Sequence, residues 1–179
     1  MTLETAANRE WTVGGLPAYG PHPGMEEKLE LFGQFVGDWE IAECRFLEDD
    51  GTWTVGRGEI HWGWILGGMA IQDVWLSIDE KTHELIPHGT TIRFYDPKID
   101  AWRSTWLSPT QGAVKAFIAR KVGDSIVLER KDEEQGLLVK WIFSEITPNS
   151  FRWHAEESSD KGKSWILKEE MRIQRMNKK

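Results

Sequence analysis

The chain has one cysteine, Cys44, in 179 residues, which excludes an internal disulfide and any zinc site built from several thiolates. It has no long apolar run and no apolar N-terminal stretch, so nothing in it reads as a membrane span or an export signal, and a cytoplasmic location is expected. Positive charge is also in deficit. The formal net charge is −7, and such a balance gives no general attraction to phosphate backbones or anionic lipid. Nucleic acid and membrane are therefore not expected partners. Phosphate-binding loops, dinucleotide fingerprints and Gly-x-Ser-x-Gly elbows are missing as well. The histidines (His22, His61, His83, His88 and His154) are scattered, with no metal-ligand spacing, so neither a metal nor a cofactor is expected.

Tryptophan is abundant. There are 11, against 7 Phe and 2 Tyr, and each large ring with its N–H asks for space and a partner. Residues 1–24 are polar, then rich in Gly and Pro, and read as an extended arm that Trp11, Leu16 and Tyr19 could pin down. The arm offers a route to a homodimer. Met25, Leu29, Phe32 and Val36 then recur at helical spacing and predict about three turns of a short capping helix.

From Trp39 the period falls to two, in ten runs: 39–47, 52–65, 69–78, 89–95, 101–108, 113–121, 125–131, 137–146, 150–158 and 164–174. Turn signals separate them, beginning with Asp50-Gly51, and no crossover helix intervenes, so neighbours should pair antiparallel. Gly56, Gly58 and Gly63 suggest a bend or bulge in the second run. A meander of this width is best closed on itself, which removes its edges. The expected architecture is all-β: a closed antiparallel up-and-down barrel of about 8–10 strands, forming one domain over 25–179.

Gly37-Asp38-Trp39 at the start of the first strand, in so Trp-rich a chain, resembles the calycins, the superfamily of lipocalins, fatty-acid-binding proteins and bacterial lipocalin-like barrels. Tyr95-Asp96-Pro97 with Trp102, and the stretch from Ser150 to Trp165, are similar to the bacterial members. The resemblance covers about residues 33–174. It implies a barrel whose motif Trp seals one end, whose last strand brings an Arg (Arg172 or Arg175) onto that Trp, and whose interior holds a small, mostly apolar ligand.

Alternation sorts residues by face. One reading gathers Trp39, Trp75, Trp102, Trp106, Trp141 and Trp153 into an aromatic wall, with Asp73, Arg93 and Tyr95 as its polar groups. If Trp39 points inward, so should Ile41 and Glu43. The alternative is that the rings fill the barrel and that Asp73 and Arg93 satisfy one another. The leading expectation is binding of a small hydrophobic, aromatic or polycyclic molecule. The second is an isomerase, cyclase or lyase in the same cavity, with Asp73, Tyr95, His61, His154 and Glu156 as acid–base candidates. The third is a structural module with a filled barrel.

Overall fold

The computed structural model describes residues 17–132 and 135–176. A two-residue strand, β1 (Pro17–Ala18), leads to helix α1 (Glu26–Gly33). Ten strands follow: β2 (Gly37–Leu47), β3 (Trp53–Ile65), β4 (Ala70–Ile78), β5 (Leu85–Asp96), β6 (Ala101–Ser108), β7 (Ala113–Val122), β8 (Ser125–Asp132), β9 (Leu137–Ser144), β10 (Ser150–Ser158) and β11 (Ile166–Arg175). Each of the ten pairs antiparallel with its neighbour in sequence. β11 then pairs with β2, so β2–β11 form a closed barrel. β1 pairs with Trp64 and Ile65 of β3, just past the point where β2 begins opposite Trp62. The part of the expected arm before Pro17, with Trp11 and Leu16, lies outside the described residues, and Tyr19 is fully exposed.

The helix is shorter than its periodicity predicts. It ends at Gly33, and Phe35 rather than Val36 is the third buried ring-bearing or aliphatic residue after Leu29 and Phe32. Acidic Glu26 and Glu27 occupy the first turn, where they complement the helix dipole. The buried face of α1 plugs one end of the barrel. Phe32 meets Trp102 edge-on at 5.0 Å and Phe143 at 5.8 Å, while Phe35 lies 4.7 Å from Phe151.

Strand alternation holds except at bulges, and these correct two expectations. Between Ile41 and Cys44 the register of β2 shifts against β3, so Cys44 turns inward and Glu43 faces out. The bend foreseen at Gly56 and Gly58 is therefore carried by an extra residue in the strand opposite. A second bulge, between Trp75 and Leu76, falls where β5 presents Pro87 to Leu76. Proline has no N–H to give the ladder, and β5 accommodates it there, starting at Leu85 and not near residue 89.

At the plugged end the strands are clamped by Arg175. Its guanidinium lies 4.0 Å from the Trp39 ring and donates to the carbonyls of Pro148, Val36 and Gln34 at 2.8, 3.0 and 2.9 Å. Trp39 Nε1 donates to the Phe35 carbonyl at 2.6 Å. Gly37 has φ +127°, and a Cβ there would meet Arg175 Nη1 at 2.8 Å. Arg172, on the opposite face of the same strand, instead meets Glu145 at 2.8 Å.

Candidate functional site

Above the plug the barrel encloses a cavity of about 140 Å³. Its sides are indoles. Trp75 and Trp106 are 5.9 Å apart, Trp106 and Trp141 6.1 Å, and Trp141 and Trp153 5.3 Å. The Trp106 ring fits because Gly89 lies beneath it, where a Cβ would come within 2.3 Å of the indole. The large rings expected from composition thus stand on alternate positions of β4, β6, β9 and β10, all projecting inward.

The floor is polar at one spot. Asp73 on β4 lies in register with Trp62 on β3, and with Thr91 on β5, two residues before Arg93. Arg93 Nη1 donates to Asp73 Oδ2, and both side chains are almost wholly buried, at 3% and 2% exposure. Burial works against both charges, raising the Asp73 carboxyl and lowering the Arg93 guanidinium, while their mutual attraction opposes each shift. Arg93 also lies over aromatic faces, its Cζ 4.4 Å from the Trp62 ring and 5.2 Å from Phe32. Two donors of this cluster, Arg93 Nε and Trp62 Nε1, are buried with no hydrogen-bond partner.

The end of the cavity away from α1 carries Phe46, His88, Gln111, Lys115 and Glu169. The His88 ring packs 4.0 Å from Trp75, and burial lowers its pKa. Removal from water pushes the Glu169 carboxyl up to about 8, against the opposing pull of Lys115 and of the Cys44 thiol, which lies 3.8 Å away. This carboxyl is therefore largely protonated at neutral pH. Burial raises the Cys44 thiol too, leaving it inert.

Of the residues singled out from sequence, Asp73, Trp75, Arg93, Trp106, Trp141 and Trp153 line the cavity. Trp39 and Trp102 are buried around the plug instead. Tyr95 sits at the rim near α1, its hydroxyl donating to Asp100 and its ring 5.4 Å from Lys28 Nζ. His61, His154 and Glu156 face away from the cavity. His61 lies between Asp38 at 2.8 Å and Glu59 at 3.1 Å, and these carboxylates raise its pKa despite burial. His154 Nε2 lies 3.6 Å from Glu156, on the outward face of β10, where neighbouring side chains bury it. Trp62, Thr91, His88, Lys115 and Glu169 were not foreseen as site residues. Glu169 had a signal in alternation: it falls on the face of Met171, Ile173 and Arg175, in register with inward-facing Ala155.

No group of His, Cys, Asp and Glu that could hold a metal ion occurs among the described residues. No helix of the described chain is long and apolar enough to cross a membrane. The sequence matches no family model and no curated protein. Among solved structures the fold is similar to that of the S-type phycobiliprotein lyase CPES from Guillardia theta, with TM-score 0.56 and 15% identity over 84% of this chain and 93% of that one. It is equally similar to Rv2717c from M. tuberculosis, with TM-score 0.55 and 10% identity over 84% of this chain and 98% of that one. At such identities the likeness is one of architecture: what the chain shares with both is the fold, a closed antiparallel barrel.

Proposed function

We propose that the protein binds one small, planar, hydrophobic molecule inside the barrel. The observation that carries this reading is the cavity itself, an indole-lined space with a buried ion pair on its floor and a few polar groups at its far end. Mostly apolar walls with a few placed polar groups are the usual chemistry of a small-molecule site. Its volume narrows the ligand. An apolar cavity of about 150 Å³ accepts benzene, whereas sites for drug-sized molecules start at roughly 300 Å³. At about 140 Å³ the space suits one aromatic ring with a short substituent. The barrel's likeness to a phycobiliprotein lyase is in keeping with a ligand-handling role. Titration calorimetry and native mass spectrometry with a panel of one-ring aromatic compounds test the reading. Saturable one-to-one binding with a negative heat-capacity change is expected. No heat and no retained mass for any member would leave a filled, structural barrel.

Glu169 favours a second reading, catalysis in the same space. A carboxyl protonated near neutrality inside a ligand cavity can both give and accept a proton. Turnover that follows a group titrating near pH 8, and is lost in Glu169→Gln while binding remains, would establish it.

A further inference from the structure

The ligand's polar group can be read from the floor of the cavity. Trp62 Nε1 and Arg93 Nε are donors only, and both are buried without an acceptor. Ser104 Oγ, in cross-strand register with Arg93, is also unpartnered, but its hydroxyl can turn either way. The acceptor that belongs to this cluster, the Asp73 carboxylate, is already engaged by Arg93 Nη1 and by Thr91. A buried donor left unmade is costly, so the floor is short of one acceptor.

Charge decides which acceptor. Arg93 is neutralised by Asp73, and no second cation among the lining residues stands beside them: Lys115 lies at the far end, opposite Glu169, and burial disfavours the charged form of His88. A carboxylate placed on the floor would add an uncompensated negative charge to a desolvated site. A neutral oxygen would satisfy the donors and leave the ion pair balanced. Resting on the binding reading above, we infer that the ligand is a neutral aromatic carbonyl compound, its ring held among the indoles and its carbonyl oxygen accepting from Trp62 Nε1 and Arg93 Nε once these two side chains, which close over both nitrogens without it, part to admit it.

Three probes of one ring size test this by calorimetry: acetophenone, ethylbenzene and benzoate. Acetophenone is expected to bind about tenfold tighter than ethylbenzene, with benzoate weakest. Trp62→Phe keeps the ring and removes the donor, so the preference for acetophenone should fall to about twofold while ethylbenzene still binds. Should that variant not fold, carbonyl-labelled acetophenone in the unaltered protein gives the answer by infrared difference spectroscopy. The C=O band is expected below its position in an aprotic solvent. Equal affinity for acetophenone and ethylbenzene, or an unshifted band, overturns the carbonyl assignment and leaves the apolar cavity standing. Tighter benzoate binding places the polar end at Lys115 and overturns it as well. Failure of all three probes to bind removes the cavity reading together with the inference.

Discussion

Arg175 closes the plugged end by joining segments that are far apart in sequence, with its ring contact on Trp39 and its bonds to the Gln34, Val36 and Pro148 carbonyls. Arg175→Ala should therefore lower stability by about 2–4 kcal/mol in chemical denaturation, well beyond what a surface arginine costs. That an arginine of the last strand would do this was implied by the resemblance, and periodicity separates the two candidates: Arg175 shares the face of Ile173, and Arg172 does not. Glu169 was harder to read because it sits in Lys168-Glu169-Glu170, which has the look of a solvated run. Its raised pKa sets the direction of a pH effect. The native state binds the proton more tightly than the unfolded chain, so the group's contribution is fullest below about pH 4.5 and is lost as pH rises through about 8. Glu169→Gln should be more stable than the parent at pH 9, by about 1–3 kcal/mol, with the gap vanishing toward pH 4.5. Thermal melts across that range read it directly.

At the scale of elements, α1 is both plug and wall. Phe32 touches Trp62, Trp102 and Phe143, and it supplies the ring under Arg93 on the side away from the cavity. Phe32→Ala should cost about 3–5 kcal/mol and enlarge the binding space, which thermal melts and binding of two-ring aromatics would show together. The sequence pattern found this helix but extended it by a turn, since Val36 fits the helical period as well as Phe35 fits the packing. Likewise Pro87-His88 reads as the end of a loop before the run at 89–95. A bulge in β5 itself, where Pro87 to Gly89 spans the single step from Leu76 to Trp75 of β4, lets the strand continue, and its extra residue, His88, enters the cavity lining. Bulges add a residue to one strand only. They are invisible to alternation counted strand by strand, and Glu43 was placed on the wrong face for the same reason.

Over the whole molecule, closure rests on the pairing of β2 with β11, as at Trp39 and Arg175, the most distant ladder partners along the chain. A chain stopped after Ser158 would bare the edges of both β2 and β10. It should fail to give a soluble folded monomer, in contrast to the single cooperative transition expected of the closed barrel by circular dichroism. Strand number, antiparallel order and closure were all legible, because turn signals and alternation report them locally. The volume of the cavity was not, because it is the residue left when some twenty rings and aliphatic chains from every strand have packed, a quantity no local pattern carries. The indole cluster has an optical consequence too. Trp75, Trp106, Trp141 and Trp153 form a chain with successive centroids no more than 6.1 Å apart, close enough for their transitions to couple and for excitation to pass from ring to ring. Light absorbed by any of the four is shared among them, so one guest touching one ring dims them all: the barrel wall is an antenna that reports its own occupancy.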